Sequence, residues 1–295
     1  MKIEKLRAEY LDPFIDYCRI HEKDHDESFL SEDELENFNI DDNVTCLLLD
    51  DDESLIGVFS IMLKRKGRVR IFHVVRDDAQ AYKMLHDAMI PQLRDVLKIE
   101  KYNLFIPEHK NSIIDILQNS GHIFERYVYV LERDISPIKA PQFPSGYELK
   151  QMKFPEDVKN WATIRNEAFI SLDGFTNYPE DFFSSMNEES DYIKEGTLIL
   201  WKEDIPLAII KVSKDIQGDE TFGFIGPIAV KPEFQGKGFG RNMLRAVVRL
   251  TSDFGWKSSL CVNAGNEDAL KLYLTEGFKK VEALVSLNYN VSIKK

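Results

Sequence analysis

The pattern of apolar and polar positions runs through the same order of elements twice. Each half opens with a strand-like segment, followed by a stretch with the three- and four-residue apolar spacing of a helix. Two strand runs joined by an acidic turn follow, then strand, helix, strand, helix and a closing strand. The closing strands are residues 124–131 and 281–289. Because a whole order of elements repeats, we predict two similar α+β domains that arose by duplication.

A proline-rich segment separates the two copies. Residues 134–146 contain three prolines and one glycine, a composition that cannot continue a helix or a central strand. We therefore predict a first domain at residues 1–135, a linker at 136–146 and a second domain at 147–295.

Charge is divided unequally between the copies. The formal net charge is −12, of which residues 1–135 carry −10, with 18 basic and 28 acidic side chains, and residues 136–295 carry −2. An acidic chain binds nucleic acid poorly without a specific site, so we expect no nucleic-acid partner. The acidic runs at 22–26, 32–36 and 41–42 are typical of a solvated face, although they would also suit a polyamine, an aminoglycoside or a basic peptide.

Membrane and metal signatures are missing from the sequence. No run of 18 apolar residues is present, and residues 1–5 are not followed by the apolar segment of a signal peptide. Three scattered cysteines, Cys18, Cys46 and Cys261, have neither the number of a disulfide framework nor the spacing of a metal site. We therefore expect a cytoplasmic protein without a membrane partner or a bound metal ion.

A glycine-rich turn in the second half has the composition of an anion site. An apolar strand ending at Val230 runs into glycines at 236, 238 and 240, and a helical pattern begins near Gly240. Its apolar stripe and its expected glycine stop are Met243, Val247, Leu250, Phe254 and Gly255. Glycines allow successive backbone N–H groups to turn inward, and a helix N-terminus favours an anion. Positive side chains oppose a single acid, Glu233, so the segment predicts a diphosphate site. Its basic residues are Lys231, Lys237, Arg241, Arg245 and Arg249.

Two common phosphate-binding motifs do not fit this turn. A P-loop requires Gly-Lys-Ser/Thr, whereas Lys237 precedes Gly238. The dinucleotide-binding fingerprint requires a glycine at the position of Arg241. The spacing Gln235-x-x-Gly238-x-Gly240, after a Val-x-Pro strand end, instead resembles the coenzyme-A-binding motif of the GNAT acyltransferases (GCN5-related N-acetyltransferases).

A downstream segment resembles the closing half of the same family's cofactor site. Residues 262–278 match the family pattern N-x-x-A-x-x-L-Y-x-x-x-G-F, with Asn266 as a helix N-cap and Tyr273 on that helix. From the residues alone, Asn266 could only cap its helix and Tyr273 could only pack in the core. With both motifs in order, the chain is identified as a member of the GNAT superfamily, of the tandem-domain type.

The resemblance implies a mixed, mostly antiparallel sheet flanked by helices in each domain, with a splayed strand pair at the cofactor cleft. The strand ending at Val230 would diverge from the strand ending at Val262, and the pantetheine of acetyl-CoA would enter the gap. Pro227 fits a strand edge or a bulge, which would aim an N–H at the thioester carbonyl. The cofactor-binding residues implied are Ile228, Ala229, Val230, Gln235, Gly236, Lys237, Gly238, Phe239, Gly240, Arg241 and Asn266.

The resemblance also implies direct attack by an amine on acetyl-CoA, with both substrates bound and Tyr273 protonating the departing thiolate. The amine must lose a proton, and the second half has no histidine to accept it. The base is therefore expected to be a carboxylate, a water chain or a group from the first domain. Asp219 and Glu220 are the candidate carboxylates, although both could be turn residues. Cys261 is expected to pack in the core rather than form an acyl-enzyme. A non-catalytic acyl-CoA-binding regulatory protein is the alternative function.

The first half lacks the cofactor residues. Two aspartates, Asp77 and Asp78, occupy a shorter loop where a diphosphate would need donors, and Lys110 and Leu117 replace the asparagine and the tyrosine of the second motif. We predict that this half keeps the fold and does not bind CoA. His73, on the strand equivalent to the splayed one, is expected to be packed or exposed, or to face a shared interface. We expect a small-molecule or peptide amine as acceptor, and a monomer (pseudo-dimer) or weak homodimer.

Overall fold

The computed structural model of the protein describes residues 1–24, 30, 32–63, 69–172, 175, 177–218 and 220–292. Contacts between Cα atoms divide the chain into two compact units. Unit 1 contains Met1–Tyr127 and Ala283–Lys295, and unit 2 contains Val128–Glu282. No helix in the described residues is long and apolar enough to cross a membrane, and Cys18, Cys46 and Cys261, all of them described, form no disulfide bond.

Strands and helices follow the predicted order. The strands are β1 (Lys2–Lys5), β2 (Asn43–Leu49), β3 (Leu55–Met62), β4 (Val69–Val74), β5 (Lys101–Pro107), β6 (Ile123–Arg133), β7 (Tyr147–Gln151), β8 (Leu198–Lys202), β9 (Ile205–Gln217), β10 (Glu220–Val230), β11 (Lys257–Asn263) and β12 (Lys279–Asn290). The α-helices are α1 (Leu11–Ile20), α2 (Glu32–Glu36), α3 (Ala79–Pro91), α4 (Asn111–Asn119), α5 (Val158–Phe169), α6 (Phe239–Asp253) and α7 (Glu267–Thr275). A π-helical turn follows α3 at Gln92–Val96, and short 3-10 turns lie at Ala8–Tyr10, Glu22–Asp24, Ile40–Asp42, Glu180–Phe183, Met186–Glu188, Lys194–Gly196 and Pro232–Phe234.

Unit 1 contains an antiparallel sheet in the order β1-β2-β3-β4 and an antiparallel pair of β5 with β12. Alternate residues of a strand point to opposite faces of the sheet. Phe59 and Phe72 accordingly pack in the apolar cluster that contains the buried face of α3. Val58 and Ile71, their neighbours in sequence, pack with Phe14 of α1 on the other face. Helices therefore cover both faces of this sheet.

Unit 2 contains one mixed sheet in the order β6-β11-β10-β9-β8-β7. β10 and β11 are parallel, and the other neighbouring strands are antiparallel. Met243 and Val247 of α6 are fully buried on one face, and Trp161 and Ile164 of α5 are fully buried on the other. The arrangement is the α+β fold with a mostly antiparallel sheet flanked by helices that the resemblance implied.

Helix α6 follows its predicted pattern except at its C-terminal end. The stripe Met243, Val247, Leu250 and Phe254 was expected on one buried face, and the first two of these side chains are fully buried. Phe254 is 41% exposed, because the helix ends at Asp253 and the Phe254 ring packs instead 4.8 Å from Trp256. Gly255 has a φ of +75°, so the glycine stop is confirmed.

The closing strands are exchanged between the two halves of the sequence. β6 comes from the first half and pairs with β11 in unit 2, with residues 128–133 opposite 258–263. β12 ends the second half and pairs over residues 284–290 with β5 in unit 1. The compact units thus differ from the division predicted at 1–135 and 147–295. An alternating pattern shows which face of a strand is buried, but it does not identify the neighbouring strand.

Candidate active site

The two central strands of unit 2 diverge towards their C-terminal ends. β10 and β11 pair only at Phe222–Phe224, opposite Lys257–Ser259. Within the described residues, β10 then continues to Val230 and β11 to Asn263 without a further pair between them. On its other side β10 stays paired with β9 up to Val230. The backbone groups of residues 228–230 that point away from β9 therefore face a gap, where an extended ligand can pair with them.

β10 carries a bulge where this gap opens. Between Ile225 and Ile228, three residue steps on β10 oppose two on β9, so β10 has one extra residue. Gly226 and Pro227 occupy the irregular stretch. Proline has no N–H to donate to a strand ladder, but at a bulge the ladder is already interrupted, so proline is tolerated there. The bulge predicted at Pro227 is confirmed, and it redirects the backbone groups that follow it.

The glycine turn leaves backbone N–H groups without protein acceptors. Gly236 and Gly238 have φ values of +72° and +78°, in the left-handed region, and Gly238 is the N-cap residue of α6. A Cβ at either position would meet no atom within 4 Å, so backbone conformation rather than crowding requires glycine. In the described part of the chain, no protein group accepts from the N–H groups of residues 236–238. These donors and the dipole of α6 favour an anion.

The polar side chains of the turn bind its own backbone. Gln235 Nε2 donates to the carbonyl of Val230 at 2.9 Å, and Lys237 Nζ donates to the carbonyl of Glu233 at 3.1 Å. The Lys237 ammonium also lies 4.9 Å from the centre of the Phe234 ring. The turn is therefore held in shape by its own side chains, while Gln235, Lys237 and the two left-handed glycines remain exposed.

Two of the predicted basic residues form ion pairs with an acidic side chain. Arg245 donates hydrogen bonds of 2.8 and 2.7 Å to Glu276, and Arg241 donates to Glu276 and, at 3.0 Å, to Thr275 Oγ1. Burial of Glu276 favours its neutral form, but the two arginines outweigh burial and lower the pKa of Glu276. Glu276 thus partly neutralises the positive charge predicted near the turn. The spacing of the motif did not reveal that Glu276 approaches α6.

Asn266 is the N-cap of α7. Its side-chain oxygen accepts from the N–H of Ala269 at 3.2 Å, and its own N–H donates to the carbonyl of Asn263 at 2.9 Å. Glu267 and Asp268 lie in the first turn, where negative charge complements the helix dipole. The capping role is confirmed, and a contact between Asn266 and a cofactor stays a prediction.

Tyr273 packs in the same apolar cluster as Ile228 and Val230, which border the gap. Its ring centre lies 6.1 Å from that of Phe278. Burial raises the pKa of Tyr273 to about 12, so the hydroxyl keeps its proton at neutral pH. Among the described residues, none forms a hydrogen bond with that hydroxyl. A neutral phenol without a protein partner can donate its proton to a leaving group.

Solved structures resemble the chain over nearly its whole length. A GCN5-related N-acetyltransferase from Sphaerobacter thermophilus has a TM-score of 0.75 at 16% identity, covering 100% of this chain and 96% of that one. A tandem GNAT protein from the clavulanic acid biosynthesis pathway has a TM-score of 0.74 at 12% identity, covering 100% and 99%. A GNAT-family acetyltransferase from Colwellia psychrerythraea has a TM-score of 0.62 at 12% identity, covering 98% and 100%. These likenesses confirm the predicted fold of two tandem GNAT-like domains.

A family model matches the part of the chain that contains the gap. Residues 158–278 match the model described as "Acetyltransferase (GNAT) family". This segment of the chain is therefore a GNAT-family domain. No curated protein matches the sequence of the chain significantly. The match supports acyl transfer in general, and both sequence motifs, the bulge and Tyr273 lie within the matched GNAT region.

In unit 1, a carboxylate caps the helix that follows the segment corresponding to the GNAT glycine turn. Asp78 is the N-cap of α3, and its Oδ1 accepts from the N–H groups of Gln80 at 2.9 Å and Ala81 at 3.3 Å. A phosphate would need these donors, so Asp78 takes the place of an anion. Leu117, which replaces the tyrosine of the second motif, is buried. These contacts support the prediction that the first half does not bind CoA.

Of the two predicted bases, the structure describes only Glu220, and Glu220 does not reach the gap. Glu220 is the first residue of β10 and forms an ion pair with Lys257. Gly226 follows Glu220 by six residue steps, which is about 20 Å along an extended strand. Glu220 is therefore excluded as the base by its position, and Asp219 lies outside the described residues. Cys261 lies on β11 and is only partly buried rather than fully packed in the core.

An ion pair that the sequence did not predict lies opposite the bulge. Lys211 of β9 is buried, and its Nζ is 2.8 Å from Glu189 Oε2 and 4.0 Å from Asp191 Oδ1. Strand alternation puts Lys211 on the same face as Ile209, which packs with α5. A lysine in the apolar run of β9 was visible in the sequence, but its partner was not, because Glu189 lies 22 residues away.

Proposed function

We propose that the protein transfers an acetyl group from acetyl-CoA to an amine, by direct attack while both substrates are bound. One observation carries the proposal: β10 and β11 diverge beside a glycine turn in which the N–H groups of residues 236–238 have no protein acceptor in the described chain. An extended ligand that ends in a diphosphate fits such a gap and turn. The GNAT match supports acyl transfer in general, and the acetyl donor and amine acceptor are the proposal.

In this proposal, acetyl-CoA binds along residues 228–241. Its diphosphate accepts hydrogen bonds from the turn at residues 235–241, where the N-terminus of α6 balances the negative charge. Its pantetheine pairs with the backbone of residues 228–230, on the side of β10 away from β9. The bulge at Gly226 and Pro227 turns the backbone so that an N–H stabilises negative charge on the thioester oxygen.

The reaction needs one proton donor and one proton acceptor. The amine nitrogen attacks the thioester carbon, a C–N bond forms, and the C–S bond breaks. The departing thiolate takes the proton of Tyr273, whose raised pKa keeps that proton in place until then. The attacking amine gives up its proton, and we assign Glu189 as its acceptor because Lys211 holds that carboxylate on the strand face opposite the bulge.

A substitution tests the role of Glu189. We expect Glu189→Gln to lower kcat about 100-fold while the KM for acetyl-CoA changes little, since the amide cannot accept the proton and residue 189 is not among the residues proposed to bind acetyl-CoA. Glu188→Gln is the matched control, because Glu188 is the exposed neighbour of Glu189. Equal kcat values for the two variants would show that another group accepts the proton.

Activity itself is tested with acetyl-CoA and a panel of amines. The panel contains polyamines, aminoglycosides and basic peptides, and the readouts are release of free CoA thiol and mass-spectrometric detection of the acetylated amine. We expect amine-dependent thiol release with at least one member of the panel. Tight CoA binding without turnover across the panel would instead support the non-catalytic regulatory protein.

The proposed acceptor is a small-molecule or peptide amine, and the proposed state is a monomer (pseudo-dimer) or weak homodimer that binds no nucleic acid. Among the acidic residues predicted to attract such an amine, Asp24 and Glu32 already bind His21 and Arg19. Residues 25 and 26 of the first acidic run lie outside the described residues. These ion pairs agree with a solvated acidic face, so the acidic runs do not support one amine over another.

A further inference from the structure

Unit 1 brings together two histidines and an aspartate from distant parts of the sequence. His21 is the C-cap residue of α1, Asp24 ends the 3-10 turn that follows it, and His73 is a buried residue of β4. Their nitrogen and carboxylate atoms all lie within 4.8 Å of one another. None of these residues belongs to the proposed acetyl-transfer site, which lies in unit 2.

Hydrogen bonds orient the members of this cluster. His21 Nδ1 and Asp24 Oδ2 are 2.8 Å apart, and the Tyr17 hydroxyl lies 2.7 Å from His73 Nδ1. The two imidazole rings are 5.0 Å apart between centres. Lys110 donates to the main-chain carbonyl of Asp24 rather than to its carboxylate. The carboxylate is therefore directed to the histidines, and the tyrosine fixes the orientation of the His73 ring.

We propose that His21, Asp24 and His73 bind a divalent first-row transition ion, with Zn²⁺ as the representative. Imidazole nitrogen suits zinc and its neighbours in the series, whereas Mg²⁺ and Ca²⁺ prefer sites made wholly of oxygen. Two imidazoles and one carboxylate are a set of three protein ligands, and they leave a fourth tetrahedral position open to water or another ligand.

Binding an ion requires only a small movement of the three side chains towards one another. Tetrahedral ligands at about 2.1 Å from zinc lie about 3.4 Å from each other, and the atoms of the cluster are already within 4.8 Å. The contact between His21 Nδ1 and Asp24 Oδ2 is one that the ion would replace, because both atoms are metal ligands. Tyr17 would then act as the outer-shell partner that orients a ligating imidazole.

Sequence spacing did not indicate this site. We expected no metal ion because the cysteines lack metal spacing, and only His21 and Asp24 are close in sequence. His73 joins them because β4 passes beside the end of α1, a tertiary contact that spacing does not reveal. The inference concerns unit 1 alone, so it does not depend on the acetyl-transfer proposal.

Metal titration of the full chain without a polyhistidine tag tests the site. Zn²⁺ binding is followed by calorimetry, and Co²⁺ binding by its visible absorption, with Mg²⁺ as a negative control. We expect one saturable Zn²⁺ site per chain, and Co²⁺ spectra typical of nitrogen and oxygen ligands. His21→Gln and Asp24→Asn should each weaken Zn²⁺ binding by at least about 100-fold, beyond the 10–100-fold typical of losing an outer-shell partner.

A matched variant controls for adventitious binding by histidine. His109 is exposed in the same unit and lies outside the cluster, so His109→Gln should bind Zn²⁺ as the unmodified chain does. His73→Gln also removes a ligand, but His73 is buried, so thermal unfolding is measured to show that this variant still folds. No saturable site in the unmodified chain, or equal affinities for Asp24→Asn and His109→Gln, would overturn the proposal.

Discussion

Tyr273 is the residue that carries the proposed protonation of the thiolate. Replacing it by phenylalanine keeps the ring that packs near Phe278 and removes only the hydroxyl. We expect Tyr273→Phe to lower kcat about 100-fold or more with little change in the KM for acetyl-CoA, because the apolar contacts remain. Steady-state thiol release at varied acetyl-CoA concentrations gives both constants. A kcat equal to that of the unmodified protein would leave Tyr273 with a packing role only.

The pKa of Tyr273 makes a separate prediction about pH. An unperturbed tyrosine loses its proton near pH 10, whereas burial raises the pKa of Tyr273 to about 12. Since the acid must be protonated, its contribution is lost only as the pH rises through the higher value. We expect no decrease in kcat from Tyr273 ionisation between neutral pH and about pH 10. A decrease in kcat with an apparent pKa near 10, absent from Tyr273→Phe, would contradict this.

At the scale of elements, Glu276 connects α6 with the end of α7. It is buried, and it accepts hydrogen bonds from Arg241 and Arg245. Its pKa is lowered in the folded protein because the arginines outweigh burial. Its charge therefore stabilises the fold above its unfolded pKa of about 4.3, and this contribution is lost as the pH falls through the lower folded value.

We accordingly expect Glu276→Gln to reduce the free energy of unfolding by about 1.5–3 kcal/mol at neutral pH, the range for hydrogen bonds to charged groups. Below about pH 4.3 the difference from the unmodified protein should shrink, because the carboxyl becomes protonated there. Urea unfolding at both pH values measures this, with Glu203→Gln as an exposed control. A difference that persists at the lower pH would contradict the role of the charge.

The sequence identified the elements of the site better than the contacts between them. The spacing of Gly236 and Gly238 predicted the turn, since a left-handed φ favours glycine, and Pro227 predicted the bulge because proline lacks an N–H. The partners Glu276 and Glu189 were missed, because each meets its arginine or lysine only through the tertiary fold. Local backbone chemistry is readable from the sequence, whereas side-chain pairing across elements is not.

At the scale of the whole molecule, the exchange of closing strands was the main feature that the repeat did not reveal. Duplication predicted two copies with the same order of elements, and the order is present. The same duplication also predicted that each half would keep its own last strand. β6 and β12 are both rich in aromatic and branched residues, so their sequences do not distinguish pairing within a half from pairing across the halves.

The exchange predicts how fragments of the chain behave. A fragment of residues 147–295 lacks β6, so β11 loses its antiparallel partner and the apolar cluster of unit 2 loses the fully buried Leu131. A fragment of residues 123–282 keeps β6 and contains the whole of unit 2. We expect cooperative thermal unfolding for residues 123–282 and none for residues 147–295, as measured by circular dichroism. The opposite result would show that the domain boundary lies at the proline-rich linker.

Calorimetric titration of CoA into the full chain and two glycine variants tests the acyl-CoA site most directly. Gly238→Glu places negative charge at the proposed diphosphate site, and Gly218→Glu is its control, because Gly218 also has a left-handed φ and open space around it. We predict one CoA per chain, at least about 100-fold weaker binding for Gly238→Glu, a loss of about 2.7 kcal/mol, and unchanged binding for Gly218→Glu. Unchanged affinity for Gly238→Glu would contradict the assignment of the glycine turn as the diphosphate site.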